Sequence, residues 1–566
     1  MDALNSEDCG CVLPLPKEQD GVDLMNPILE LIVVFGGTLS LSVPFGLYIA
    51  RMISYELRPL EAPLARVENG FYKLIGIDKD KQMTWKEYSL ALIIMNLIVA
   101  GFVFFMLVFQ NLLPSSTHVN GLSIDLAFHT AISFITNTDL QHYAGDQQLS
   151  VISQMIPLTF VMFVAPASGI AAAFAFIRGF IRKNFGLGNF YVDFIRIILT
   201  LLLPLAFGSA LFLMLLGVPQ TLQSSVTINH TLEGHNQTIT TGPVASLESI
   251  KDLGSNGGGY YGANSGHPFE NPNGLSNTYE MFLMLIIPLS FPIAYAKLVG
   301  KARGVSLLLT ILIAFGILLA IAFSQVSGPT GLETRFGSFG SEFFNTISIS
   351  TNTGSANSAL SGMSPNPVMS FLLGMFIQSV PGADGTGIMY MIIYVIITLF
   401  LVGLMVGKTP EFMNMKINPK NVKLAVFVFL MHPALILIPT VIAFTTGNAQ
   451  SVLGVPAGKM TTASGYTRAL YEYTSAAANN GSDYLGTSAN TPFWNWSTAI
   501  VMFLGRYMPI VLMLAIAGSF TVKDRKEAIE PIKTHGPLFI SVLLVMTFLL
   551  TALTFFPCIG IGPFSM

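Results

Sequence analysis

Charged residues and cysteine are both scarce in this sequence. Charged residues make up 10% of its 566 positions and hydrophobic residues 52%, whereas soluble domains carry about 25% charged residues. This composition excludes a water-soluble globular protein and indicates a chain that lies mostly in a lipid bilayer. The three cysteines, Cys9, Cys11 and Cys558, show no zinc-binding spacing with the eight histidines, so we expect free thiols and no zinc site.

Motifs for ATP hydrolysis are also absent. Gly407-Lys408-Thr409 resembles the end of a nucleotide-binding P-loop, but that motif requires a glycine at position 402, which is a valine. The sequence contains no Asp-Lys-Thr-Gly phosphorylation sequence. We therefore expect no bound nucleotide and no ATPase activity of the chain by itself.

Apolar stretches of membrane length are abundant. The first has 24 residues and would reach about 36 Å as a helix, enough to cross a hydrocarbon core of about 30 Å. We predict an all-α polytopic membrane protein with about ten transmembrane helices. They are expected at residues 27–50, 87–113, 150–177, 191–217, 277–299, 304–326, 367–407, 421–446, 495–520 and 537–558.

Basic residues occupy alternate connections between these stretches. Of the 28 lysines and arginines, 21 fall in the segments 51–86, 178–183, 297–303, 408–423 and 523–533. By the positive-inside rule these connections are cytoplasmic. Both termini and the remaining loops are therefore predicted to be extracytoplasmic.

Four of the remaining loops share a short polar core of small residues, amides and glycines. Such backbone at membrane depth is tolerated only where it is buried in protein or lines a watery cavity. One such loop could be an ordinary connection, but four can form a ring of carbonyls that replaces the hydration shell of a monovalent cation, as in a potassium filter. The candidate K⁺ residues are Thr136, Asn137, Thr138, Asp139; Asn256, Gly257, Gly258, Gly259; Thr351, Asn352, Thr353, Gly354; and Ala478, Asn479, Asn480, Gly481.

The loops recur at similar distances along the chain. Their cores are 120, 95 and 127 residues apart, and a short candidate pore helix precedes each, at 125–133, 245–253, 341–348 and 466–474. We predict four repeats of helix, re-entrant pore loop and helix around a central filter. The segments are a polar tail at 1–26, an extra helix at 27–50, repeats at 87–183, 191–303, 304–408 and 420–520, and a C-terminal helix at 534–566.

The stretch 367–407 is too long for one span. Its 41 residues would reach about 62 Å as one helix, twice the hydrocarbon core, so it must bend or break. A glycine-rich segment lies in its middle, and we predict an intramembrane gate loop there that includes Gly382, Asp384 and Gly385. The alternative is a proline-glycine kink with Asp384 in a salt bridge.

Arg506 lies inside the apolar run 500–510, where a charge costs about 2.5–3.5 kcal/mol on insertion scales. Two interpretations remain open. Arg506 is a fixed positive charge below the filter that directs ions sideways toward a partner, or it forms a buried ion pair with Asp384 or a pore-loop acid. Three histidines beside prolines are expected to be structural rather than to transfer protons: His267, His432 and His535.

The segment 254–272, Gly-Ser-Asn-Gly-Gly-Gly-Tyr-Tyr-Gly-Ala-Asn-Ser-Gly-His-Pro-Phe-Glu-Asn-Pro, resembles the most distinctive stretch of the KdpA family. These are the potassium-binding subunits of Kdp-type potassium-transporting ATPases, in the superfamily of potassium transporters. Similar stretches at 133–138, 406–411, 488–495, 515–519 and 534–539 extend the resemblance over almost the whole chain. The first loop departs from the family pattern, because it has Asp139-Leu140-Gln141 where the family pattern has Asn-Trp-Gln.

The resemblance implies that K⁺ binds in the four-loop filter, with Gln141 in the pore region. It also implies a P-type ATPase catalytic subunit and small accessory membrane subunits as partners, in the cell membrane of a prokaryote. No nucleic-acid partner is expected. The alternatives are a channel-like or secondary potassium transporter of the same superfamily, and a non-transporting membrane scaffold.

Overall fold

The computed structural model describes residues 26–56, 62–114, 119–181, 186–228, 236–328, 331–408, 410–413, 415–456, 459–521 and 532–566. The predicted N-terminal tail before Asn26, with Cys9 and Cys11, lies outside these residues. Cys558 is a free thiol, as expected.

Ten helices in the described ranges are long and apolar enough to cross a membrane, which confirms the predicted number of spans. The chain is a multi-pass membrane protein. The spans are Pro27–Ser54, Trp85–Val108, Val151–Ile181, Phe190–Leu216, Gly274–Val299, Lys301–Ala322, Thr386–Val406, Pro419–Thr445, Pro492–Phe520 and Pro537–Ser565.

Burial separates central spans from peripheral ones. In the most apolar 18-residue stretch of Val151–Ile181, 89% is buried inside the protein. The corresponding stretch of Pro27–Ser54 is 22% buried. The latter helix packs closely against Gly274–Val299 at Gly46, where an added Cβ atom would lie 2.7 Å from the carbonyl oxygen of Ser290. The first span therefore lies at the periphery of the bundle, and the third lies at its centre.

Four short helices lie between spans and end at the four polar loops. The longest has 16 residues and is about 24 Å long, too short to cross the membrane. They coincide with the predicted pore helices, and we name them pore helices 1 to 4: Ile124–Ile135, Val244–Leu253, Gly337–Ser350 and Ala463–Ala478. The segments that follow are filter loops 1 to 4, residues 136–143, 254–261, 351–358 and 479–486.

The stretch 367–407 is broken, as its length predicts. A helix Pro365–Ile377, which we name the half-helix, ends at Gln378, and the span Thr386–Val406 begins eight residues later. We name residues 378–385 the helix break. Gly382 and Gly385 within it have φ angles of +79° and +75°, a backbone conformation that favours glycine.

The β-structure of the described residues consists of two small antiparallel hairpins. Ser225–Ile228 pairs with Gln237–Thr240, and Glu411–Phe412 pairs with Met415–Lys416. The all-α prediction of the fold class is therefore confirmed. A further helix, Ala62–Ile75, lies between the first two spans.

Candidate functional site

The four filter loops share one backbone pattern. In each, a loop amide donates to the carbonyl five positions earlier, near the end of the pore helix. The pairs are Thr138 to Ser133, Asn256 to Lys251, Thr353 to Ser348 and Asn480 to Ser475. The residues on both sides of each of these donors have positive φ angles. The structurally equivalent cores are therefore residues 136–139, 254–257, 351–354 and 478–481.

The alignment of filter loop 2 that the sequence suggested was wrong by two residues. The sequence matches residues 256–259 to the other cores, whereas the hydrogen bonds match 254–257. The run of three glycines gives no register in the sequence. The φ angle of +91° at Gly257 agrees with the hydrogen bonds and identifies it as the counterpart of the other core-ending residues. Gly258 and Gly259 lie beyond the equivalent positions, and Ser255 lies within them.

The four loops meet in a closed ring. Three of the contacts are of one type, in which a glycine lies so close to a carbonyl oxygen of the next loop that a side chain would overlap that oxygen. The pairs are Gly257 with Thr353, Gly354 with Asn480 and Gly481 with Thr138. Loop 1 meets loop 2 at Gly258, where an added Cβ would lie 2.8 Å from Cβ of Asp139. The loops therefore follow one another around the ring in chain order.

Asparagine side chains brace this ring. Asn137 Nδ2 of loop 1 donates to the carbonyl oxygen of Ser255 in loop 2 at 2.6 Å. Asn480 Nδ2 of loop 4 donates to the carbonyl oxygen of Ile349 in pore helix 3 at 2.8 Å. Because these amides join different loops, the ring's carbonyls are held by neighbours distant in sequence.

Gln141 links loops 1 and 2 on the far side of the core from the pore helices. Its Nε2 donates to the carbonyl oxygen of Gly259 at 3.2 Å, and its Oε1 accepts from the Gly259 amide at 3.0 Å. Gly259 is not among the residues with positive φ. The left-handed backbone conformation that favours glycine lies at Gly257 instead.

The pore helices and the ring together favour a cation. Each pore helix directs its C-terminal end to a filter loop, and a helix C-terminus carries a partial negative charge. The carbonyl oxygens of Thr138, Thr353 and Asn480 lie between adjacent loops. Carbonyl oxygens arranged in this way can replace the hydration shell of a monovalent cation.

Asp139 brings a carboxylate to this ring, at the position that glycine occupies in the other three loops. Its φ angle is +52°, a conformation that aspartate adopts more readily than most residues. The side chain is buried, and neither carboxylate oxygen has a hydrogen-bond partner. Asp139 lines a cavity of about 340 Å³ together with Gly354 and Gly481, so the cavity touches three filter loops at their cores.

Lys251 of pore helix 2 stabilises filter loop 2 through buried contacts, a role that the sequence did not indicate. The lysine is fully buried in pore helix 2, and its Nζ lies 2.6 Å from Glu248 and 2.9 Å from Glu270. It also donates to Asn264 Oδ1 at 2.9 Å, while Asn264 Nδ2 donates to the carbonyl oxygen of Gly257 at 2.7 Å. One buried cluster of charged residues thus holds a core carbonyl of the filter.

Arg506 lies beside the helix break, at the level where pore helices end. It is 5% exposed, and its Nη2 donates to the carbonyl oxygen of Ala165 at 3.3 Å. An added Cβ at Gly169 would lie 2.6 Å from this Nη2 and 3.3 Å from the main-chain oxygen of Asp384. The carboxylate oxygens of Asp384 have no hydrogen-bond partner, so the salt bridge to Asp384 is not formed.

A second buried network joins pore helices 1 and 4. His142 Nε2 lies 3.2 Å from Glu472 Oε1, and His142 Nδ1 lies 2.7 Å from Asn495 Oδ1. The ring of His129 stacks on that of His142 at 4.0 Å. Since an amide oxygen only accepts, Nδ1 carries the proton, and Nε2 of a neutral ring accepts from a protonated Glu472. Residues 330 apart in sequence form this pair, and no local pattern of residues predicts it.

Burial sets the proton affinities in this network. It raises the pKa of Glu472 to about 7 and that of Asp483, in filter loop 4, to about 8. Burial also lowers the pKa of His142. Arg468 on pore helix 4 opposes the shift of Glu472. At neutral pH Asp483 is therefore mostly protonated, whereas Glu472 is close to its midpoint and loses its proton as the pH rises further.

A Glu472→Gln variant is expected to melt a few degrees above the parent at pH 8 and at the parent temperature near pH 5. The folded-state pKa of Glu472 is raised, so its stabilising contribution is present at low pH and is lost as pH rises to about 7. Glutamine cannot ionise and still donates to His142. Thermal unfolding in detergent between pH 5 and 8 measures this difference. Glu333→Gln, an acid at the cavity rim, is the control, and equal pH slopes for parent and Glu472→Gln would contradict the neutral assignment.

The fold is similar to that of a solved potassium transporter. The crystal structure of TrkH from Vibrio parahaemolyticus matches with a TM-score of 0.52 over 85% of this chain and 99% of that chain. The sequences are 17% identical, so this likeness shows the fold alone.

Sequence relatives cover nearly the whole chain. The potassium-transporting ATPase potassium-binding subunit of Caldanaerobacter subterraneus subsp. tengcongensis is 40% identical over 557 residues, 95% of this chain and 98% of that protein. The family model described as KdpA, potassium-transporting ATPase A subunit, matches residues 32–565. The chain therefore belongs to the KdpA family of potassium-transporting ATPase A subunits.

Proposed function

We propose that this protein is the potassium-binding and translocating subunit of a high-affinity ATP-driven uptake complex. K⁺ enters from the extracytoplasmic side and is held by the carbonyl ring of the four filter loops. It is then delivered to a P-type ATPase subunit in the cell membrane of a prokaryote. The observation that carries this proposal is the closed ring, in which glycines of three loops abut carbonyl oxygens of the next loop.

All four loops take part in the ring. This supports the predicted organisation into four repeats of helix, pore loop and helix. Loop cores with one hydrogen-bond pattern recur after each pore helix. The ligand set follows from that pattern: cores 136–139, 351–354 and 478–481 as the sequence predicts, with 254–257 in place of 256–259. Gln141 braces the ring, and Arg506 with the helix break lies at the end of the pore helices.

We propose two kinds of partner for this chain. An ATPase subunit supplies the energy, since the sequence has no ATP-hydrolysing motif. Small accessory membrane subunits complete the proposed complex. Both termini are extracytoplasmic in this proposal, which rests on the alternation of basic connections.

The purified chain is expected to hydrolyse no ATP and to be stabilised by K⁺ more than by Na⁺. ATPase activity stimulated by K⁺ appears only when the P-type partner is present. Thermal unfolding in K⁺ or Na⁺, followed by phosphate release with and without the co-purified partner, tests both points. Equal stabilisation by both ions counts against the filter, and potassium transport by the chain alone would favour a secondary transporter.

A further inference from the structure

The end of the half-helix is tied to a neighbouring span through His432. This residue lies in the middle of Pro419–Thr445, is 7% exposed, and precedes Pro433. Its Nδ1 is 2.6 Å from Nε2 of Gln378, and its Nε2 is 3.1 Å from the carbonyl oxygen of Met375. Both partners belong to the point where the half-helix stops.

The hydrogen-bonding roles in this contact are fixed by chemistry. An amide nitrogen only donates, so Nδ1 of His432 accepts from Gln378. The neutral ring then carries its proton on Nε2 and donates it to Met375. Each of the last four carbonyls of a helix lacks an intrahelical partner, and His432 satisfies one of them. Gln378 itself has a φ of +59° and donates its amide to Gly374 at 3.0 Å.

Aromatic packing strengthens the same attachment. Phe376 of the half-helix stacks on Phe555 with ring centroids 3.8 Å apart, and His432 meets the same ring at 6.2 Å. Phe555 lies on the last span, so two different spans hold the end of the half-helix. Its position is therefore set by neighbours rather than by the helix break itself.

The rest of the break is held mainly through its main chain. The Gly382 amide donates to the carbonyl oxygen of Ser350 in pore helix 3 at 3.0 Å. Gly385 packs closely on the main chain of Gly169 and Ile170. The buried side chains of Ser379 and Asp384 have no hydrogen-bond partner. A displacement of residues 379–385 thus breaks few side-chain bonds, whereas a displacement of Gln378 breaks the contacts to His432.

We propose that His432 is a positioning residue that holds the half-helix end and confines movement of the helix break to residues 379–385. Without this attachment the whole break shifts, and the pathway below the filter stays open to passive ion flow. The inference rests on the proposed function, because it assumes that ions pass the helix break.

The test uses the full chain in liposomes, with passive rubidium influx as the readout. His432→Ala is expected to raise influx at least fivefold. His432→Asn keeps an acceptor near the Nδ1 position, and His432→Gln keeps a donor near the Nε2 position, so each is expected to restore part of the barrier. Gln378→Met is expected to leak as well. The His432→Ala and Gln378→Met double variant is expected to leak no more than the leakier single variant, because the contact that Gln378→Met removes is already lost in His432→Ala.

Thr440→Ala is the matched control. Thr440 is buried on the same span, and its hydroxyl donates at 2.7 Å to the Ile436 carbonyl within that helix. Its influx is expected to equal that of the parent. If His432→Ala does not fold, the Asn, Gln and Gln378→Met variants decide the matter.

The outcomes separate the two proposals. Parent-level influx in folded His432 variants that are still stabilised by K⁺ would overturn the positioning role alone. The positioning role would also be overturned if the increases in rubidium influx of the two single variants multiplied in the double variant. The two residues would then act independently. Absence of K⁺-specific stabilisation in the parent would instead count against the proposed function.

Discussion

A Gly257→Ala variant is expected to bind potassium about 100-fold more weakly than the parent and to discriminate poorly against sodium. Gly257 has a φ of +91°, and an added Cβ would overlap the carbonyl oxygen of Thr353. The left-handed conformation costs a residue with a side chain about 1–2 kcal/mol. Displacement of the carbonyl adds to this, and about 1.4 kcal/mol corresponds to each tenfold loss. Potassium-dependent thermal stabilisation, titrated against sodium, measures the effect.

Two comparisons make this expectation specific. Gly259→Ala should weaken binding less, since Gly259 lacks a positive φ, although an added Cβ there would still lie 2.9 Å from Cα of Asn264. Gly101→Ala is the control, because no atom lies within 4 Å of the added Cβ. Parent-like affinity and ion preference in a folded Gly257→Ala variant would remove filter loop 2 from the potassium site.

Deletion of residues 382–385 is expected to open a passive path, with rubidium influx into liposomes at least tenfold above that of the parent chain alone. The deletion removes the amide that donates to Ser350 and the close packing of Gly385 on Ile170. The half-helix end and its attachment at Gln378 remain. The barrier below the filter is then lost while the ring above it is intact.

The control for this deletion is Asp384→Asn, which keeps the length of the segment and both glycines with positive φ angles. Empty liposomes and the parent chain set the background. If the deleted protein folds, is stabilised by K⁺ and leaks no more than the parent, the helix break is only a kink in a membrane helix.

The ten spans, the four pore helices and the interruption of the stretch 367–407 were all predictable from the order of residues along the chain. These follow from physics that acts locally along the chain. A bilayer requires apolar runs of about 20 residues, and a helix of about 62 Å does not fit one crossing. Polar glycine-rich loops between such runs were recognisable because lipid does not tolerate them.

The tertiary structure decided what depends on contacts between distant segments. It shifted the core of filter loop 2 to residues 254–257. Three consecutive glycines cannot be distinguished in the sequence, and the close contact of Gly257 with the carbonyl of Thr353 sets their register. It buried Lys251 of pore helix 2 between Glu248 and Glu270. It paired His142 with Glu472 and His432 with Gln378. Such pairs form only when helices far apart in the chain pack side by side, and no local pattern of residues encodes that proximity.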